Sequence, residues 1–279
     1  MTGAARSIAV CIDDVGLHAG VNRAALALAE AGRVSALACM STAPAWREAA
    51  AALRTCDAGR LDIGLHLNLS EPFAATHWQR PLARLILQAY AGALPREALR
   101  AELRLQLDAF EAALGRAPDF VDGHQHVHQL PGVREPLLAE LARRYPGQRP
   151  WLRDTRPPAG DGGHAFKPRL IAALGARRLA ALATAAGHAC NRGLVGVYGF
   201  EGGAGDYAAR LAAWLDALRA GPPGGLLMCH PGAGEAPASD PIAAARRVEY
   251  QVLGGPVFAG LLAERGLRVG RLAAALAGA

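Results

Sequence analysis

Hydrophobic and polar positions along the chain alternate between short, almost wholly apolar runs and longer runs with helical spacing. The apolar runs fall at residues 7–12, 34–40, 61–69, 120–128, 151–154, 194–198, 225–229 and 267–269. Runs of this length without alternation read as buried strands. Residues 22–31, 44–56, 81–91, 95–114, 133–145, 167–187, 207–220 and 241–265 read as helices, the last with a break near Gly254, Gly255 and Pro256. The 95–114 segment is the plainest, with Leu99, Leu103, Leu107, Phe110 and Leu114 on one face. Residues 156–163 form a Pro/Gly-rich loop. Strands and helices in regular alternation predict a largely parallel sheet. About seven such units in series favour an α/β fold of the (β/α) barrel type, TIM-barrel-like but incomplete or distorted, over an open sheet. No internal repeat or low-complexity linker interrupts the pattern, so residues 1–279 are expected to form one domain.

Composition narrows the function classes. A hydrophobic content of 52% over 279 residues supports a buried core. The net charge of +6 invites a nucleic-acid partner, but Lys167 is the only lysine and the arginines are scattered in isolated pairs. No basic stripe with interleaved aromatics appears, so no nucleic-acid partner is expected. Five cysteines form no CxxC pair, and Cys11, Cys39 and Cys229 lie within apolar runs as small core residues. That usage predicts a reduced, cytoplasmic setting. No apolar signal-peptide core precedes the first acidic pair, and no uninterrupted apolar run is long enough for a membrane span.

The polar residues that break the pattern gather at strand ends, where β/α folds collect their ligands. Asp13 and Asp14 follow the first strand, and adjacent side chains there point in different directions. One can bind an ion while the other faces an attacking water. A loop that merely begins on two acids is the plainer reading of that pair alone. His66 alternates with Leu65 and Leu67, and the plainer reading there is a satisfied core histidine. In an extended strand, Asp122, His124, His126 and His128 project to one side, and four ionisable groups there are costly to bury without an ion or a polar network. Alternate side chains of a strand stand about 6–7 Å apart, so a single ion cannot take all three imidazoles. One is a ligand, and the others support it or face substrate. His230 lies between a buried strand and Pro231-Gly232, well placed as a general acid. Carboxylate and imidazole together are the donor set of a catalytic divalent metal.

These motifs, in this order, resemble the YdjC-like family of carbohydrate deacetylases, which includes chitooligosaccharide and hopanoid-associated deacetylases. The likeness lies in Asp13-Asp14-Val15-Gly16, Gly64-Leu65-His66-Leu67, the 122–128 segment and Cys229-His230-Pro231, with a similar tail from Arg246 to Leu253. The resemblance implies a (β/α) barrel with one divalent ion held by Asp14, His66 and His124. It implies Asp13 as the base for the metal-bound water and His230 as proton donor to the leaving amine. It also puts Arg153 near the substrate, where the strand reading places His126 and His128 once His124 is the ligand. Val15 stands where the family usually has Phe, and Gly123 where it often has Ser; both bear on substrate shape. The implied reaction removes an N-acetyl group from an amino sugar or glycan, with magnesium or zinc as cofactor, and a homodimer is a family-level expectation. Two other readings fit the same residues. One is a glycan-binding member without turnover, and the other is a different divalent-metal hydrolase or an oxygenase, since two His and one carboxylate also serve non-haem iron.

Overall fold

The computed structural model describes residues 5–57, 59–76, 78, 80–158 and 166–277. The chain begins with β1 (Arg6–Val15), α1 (Ala19–Glu30), β2 (Ala36–Cys39) and α2 (Trp46–Leu53). Next come β3 (Asp62–Leu67), α3 (Leu82–Tyr90), α4 (Arg96–Leu114) and β4 (Phe120–Gly123). They are followed by α5 (Arg134–Arg144), β5 (Trp151–Leu152), α6 (Phe166–Ala173), α7 (Ala176–Ala185), β6 (Leu194–Val195) and α8 (Ala204–Ala220). The last elements are β7 (Leu226–Cys229), α9 (Ala243–Gly254), α10 (Pro256–Glu264), β8 (Leu267–Val269) and α11 (Leu272–Ala277). Every strand of the sequence reading is present, most of them shortened at the ends. Among the described residues, no helix is long and apolar enough to cross a membrane.

Seven strands run parallel in the order β5-β4-β3-β2-β1-β7-β6, and β8 pairs with the start of β1. The sheet curls into an incomplete (β/α) barrel. Its two ends, β5 and β6, meet through a Leu152–Cys190 bridge and a hydrogen bond from the Leu194 N–H to the Arg156 carbonyl, without a paired ladder. Alternation sorts the strand residues into two layers. Ile8, Val10, Ile12, Leu37, Ile63 and Leu65 face outward and join the helices in the main core. Ala9, Cys11, Ala36, Ala38, Phe120, Trp151, Leu194, Leu226 and Met228 pack inside the barrel. Phe120 and Trp151 stack at 4.2 Å in that interior. Gly64 makes room for them, since a Cβ there would collide with the Phe120 ring. With the interior plugged by apolar groups, the next inward positions, Asp13, His66, Asp122, Arg153 and His230, gather at the C-terminal ends of the strands.

Two segments differ from the sequence reading. The fourth strand stops at Gly123 instead of running to residue 128. Residues 124–129 form a tight 3-10 turn in which Gln125 (φ 51) and His126 (φ 61) are left-handed. His124, His126 and His128 therefore do not project to one side. The chain doubles back so closely that a Cβ on Gly123 would stand 2.9 Å from the His128 nitrogen. The expected 167–187 helix is two helices, broken at Gly175 (φ 138), whose missing side chain lets the Gln129 carbonyl approach. Most of the expected 156–163 loop (residues 159–163) lies outside the described residues.

Candidate metal centre and active site

The end of β1 separates its two acids. The β1–β2 register shifts between Ile12 and Val15, and Asp14 adopts φ 65. A left-handed conformation is uncommon outside glycine, though Asp tolerates it better than most residues, and it turns successive side chains into different spaces. Asp13 points into the barrel. Both its oxygens accept from the Arg153 guanidinium at 2.6 Å. Burial opposes ionisation there, but the Arg153 and His66 charges hold the Asp13 carboxyl far below the usual carboxylate range.

Asp14 faces two imidazoles. Its Oδ1 stands 3.0 Å from His124 Nδ1 and 3.5 Å from His66 Nε2. The three ligand atoms of Asp14, His66 and His124 all lie within 4.8 Å of one another. Donors bound to one ion at about 2.0–2.2 Å in a tetrahedral arrangement stand roughly 3.3 Å apart, which these spacings bracket. His66 Nδ1–H donates to Asp122 at 2.7 Å, leaving Nε2 to face Asp14. A carboxylate on the far nitrogen is the usual support of a metal-ligating imidazole. Burial works against a charged His66, yet Asp122 and Asp13 raise its pKa to about 10. His124 is raised as well, its burial outweighed by Asp14. Asp14 itself is held well below the ordinary value, against its burial, by His124 and Arg246. Three donors, two of them gripping protons against a carboxylate, suit a divalent cation that would take the place of those protons.

His230 completes the rim. Its Nε2 stands 3.9 Å from Asp13 Oδ2, and its ring meets the Phe200 ring edge-on at 5.1 Å. Burial lowers its pKa to about 4 although Asp14 and Asp13 pull the other way. Asp13, Asp14, His66, His124, His126 and His230 line one cavity of about 1130 Å³. Arg153 and His128 do not line it. Both are 0% exposed and stand behind its wall, His128 Nε2 donating to the Arg153 carbonyl at 2.9 Å. Burial brings His128 down to about 4 despite that bond. The expectation that both lie against substrate is not met by their placement.

Several polar residues of the site have no role in the sequence reading. Asp122 supports His66 and stands 2.5 Å from an Arg153 nitrogen. Glu71 approaches His124 Nε2 at 3.5 Å. Arg246 donates to Asp14 Oδ2 at 2.8 Å, and Glu249 accepts from the His230 backbone N–H at 2.5 Å. The available signal is on α9, where Arg246 and Glu249 share a buried stripe with Ala245, Val252 and Leu253. Charges on the apolar stripe of a helix need partners inside the protein.

Comparison with known proteins bears out the family resemblance. The family described as YdjC-like protein matches residues 7–264. A carbohydrate deacetylase from Mus musculus is 41% identical over 117 residues, covering 37% of this chain and 35% of that protein. A chitooligosaccharide deacetylase from Enterobacter sp. (strain 638) is 32% identical over 138 residues, covering 47% of this chain and 54% of the relative. The matched stretches thus span about half or less of these curated relatives. Among solved structures, a protein from Enterococcus faecalis V583, described in terms of cellobiose-phosphate cleavage, superposes with TM-score 0.70. It covers 97% of this chain and 99% of its own length at 18% identity, a likeness of fold alone.

Proposed function

Because the chain belongs to the YdjC-like protein family, we propose that it works as one deacetylase domain, a metal-dependent hydrolase that removes the N-acetyl group of an amino sugar or glycan. The observation that carries this reading is the convergence of Asp14, His66 and His124 beside Asp13 in one cavity. Relatives named carbohydrate deacetylase and chitooligosaccharide deacetylase support the substrate class. Asp14, His66 and His124 would hold the ion, which when bound polarises the acetamide carbonyl, acidifies the attacking water and stabilises the oxyanion. Magnesium and zinc both accept this donor set.

The chain's own residues do the rest. Asp122 fixes the His66 ring so that Nε2 faces Asp14, where it would serve as a ligand. Arg153 keeps Asp13 ionised and fixed beside Asp14, and Asp13 takes the proton of the attacking water. The water oxygen bonds to the acetyl carbon, the C–N bond breaks, and acetate leaves. Burial favours the neutral form of the His230 imidazole and lowers its pKa to about 4. The proton it gives to the departing amine therefore follows from the one Asp13 collects, 3.9 Å away. The test is acetate release from N-acetylated mono- and oligosaccharides, before and after chelation and with metal restored. Activity is expected to vanish with chelator, return with metal, and be absent from Asp14→Asn. A chelator-insensitive enzyme, or an active Asp14→Asn protein, rejects the reading.

A further inference from the structure

Helix α9 places two buried ionisable side chains one turn apart, Arg246 (3% exposed) and Glu249 (0% exposed). Together they grip the backbone of His230 from both sides. Glu249 accepts from the His230 N–H at 2.5 Å, and Arg246 Nη1 donates to the His230 carbonyl at 3.4 Å. Glu249 also accepts from the Tyr198 hydroxyl at 2.7 Å. Arg246 donates through Nη2 to Asp14 Oδ2 and through Nε to Asp240 Oδ2, both at 2.8 Å. Asp240 is in turn faced by His18 Nε2 at 3.2 Å. The Gly232 N–H closes the junction on the Arg246 carbonyl at 2.9 Å. A Cβ on Gly232 would stand 3.0 Å from that of Arg246, so α9 lies directly against the His230 turn.

We propose that Arg246 and Glu249 are positioning residues that form a yoke between the two halves of the site. Arg246 occupies Asp14 Oδ2, so Oδ1 alone faces His66 and His124. Glu249 sets the backbone of His230, and through it the distance from that imidazole to Asp13. One helix thereby sets both the geometry of the cation ligands and the geometry of the proton donor. The yoke rests on the ligand and donor roles proposed above, but its main readouts need no turnover.

The experiment compares Arg246→Gln and Glu249→Gln with the parent chain. Co²⁺ affinity is measured by competition with a chromophoric chelator, and exchange of the His230 amide by NMR. By charge alone, removing a guanidinium beside the site would tighten cation binding, so weaker binding reports orientation. Arg246→Gln is expected to weaken Co²⁺ binding by about tenfold or more, the usual scale for losing a supporting contact behind a ligand. Glu249→Gln is expected to leave Co²⁺ affinity within about twofold of the parent and to speed His230 amide exchange. Metal-saturated Glu249→Gln should also lose kcat at unchanged KM. Unchanged or tighter Co²⁺ binding in Arg246→Gln overturns the yoke. So does parent-like amide protection in Glu249→Gln, or loss of both properties in both variants in step with a fall in Tm. Should Arg246→Gln not fold, Arg246→Lys serves, since an ammonium cannot span Asp14, Asp240 and the His230 carbonyl at once. Parent-like Co²⁺ binding by that variant also overturns the yoke. A parent chain that binds Co²⁺ yet releases no acetate rejects the hydrolase reading and leaves the yoke to its own readouts.

Discussion

Arg153 balances two buried carboxylates at once. Its guanidinium stands within 2.6 Å of Asp13 and 2.5 Å of Asp122, and 3.2 Å from Cys11 Sγ. Cys11, Asp13 and Asp122 would otherwise form a second ligand-like cluster, and the guanidinium fills it. Removing one partner of a buried charge set leaves the others uncompensated, at a cost of about 3–5 kcal/mol. Arg153→Met is therefore expected to lose stability on that scale in urea unfolding, and an unchanged midpoint would contradict the assignment. At this scale the sequence was legible where strand alternation governs. Asp13, His66 and His230 follow inward-facing positions, and the structure brings them together. It was illegible where the backbone leaves the strand. The left-handed turn at Gln125 and His126 scatters imidazoles that strict alternation would align. Nor does spacing tell an inward arginine that touches substrate from one that backs up a carboxylate; that depends on depth in the barrel.

Among the elements, α4 was the most legible because its apolar stripe alone defines it. Leu99, Leu103, Leu107 and Phe110 are buried in the main core, while Leu114, in the last turn, is only partly covered. Leu107→Ala is expected to cost about 2–5 kcal/mol, the range for a fully buried leucine, whereas Leu114→Ala should cost distinctly less. Urea denaturation of the pair checks the ranking. The α6–α7 break was hidden for the opposite reason. A glycine within an alanine-rich run is compatible with a continuous helix, and only the Gln129 carbonyl, 46 positions earlier in the chain, demands a residue without Cβ. Gly175→Ala meets both that carbonyl and a positive φ, so it should destabilise by more than the roughly 1 kcal/mol of an ordinary exposed helix substitution. A stabilised Gly175→Ala protein would show that the two helices can merge. The two ionisable residues on the buried stripe of α9 lie between these cases, visible in the sequence but mute about their partners.

For the whole molecule, the barrel turns a set of private ionisations into one pH profile. Asp13 and Asp14 are depressed below 3.8 in the folded chain, so their contribution is present above that value and lost as pH falls through the folded values. His66 is raised from 6.5 to about 10, so its contribution is full below 6.5 and lost as pH rises toward 10. His124 acts in the same direction. Glu249, raised by burial from 4.5 to about 7 despite its His230 N–H bond, likewise loses its contribution as pH climbs through that interval. His128 and His230, lowered by burial from 6.5 to about 4, act the other way and lose their contribution as pH falls through that interval. Together these groups make the metal-free chain weaken both in acid and toward alkaline pH. A cation at Asp14, His66 and His124 needs neutral imidazoles, so its binding releases protons and tightens as pH rises. Each proton displaced strengthens binding about tenfold per pH unit, or about 1.4 kcal/mol of added stability at fixed free metal. The gap in Tm between zinc-loaded and chelated protein should therefore be small at pH 5.5 and widen steadily to pH 8.5. Glu249 titrates in both forms and cancels from the difference. A gap independent of pH would mean that the cation displaces no protons, and would remove His66 and His124 together from its ligands.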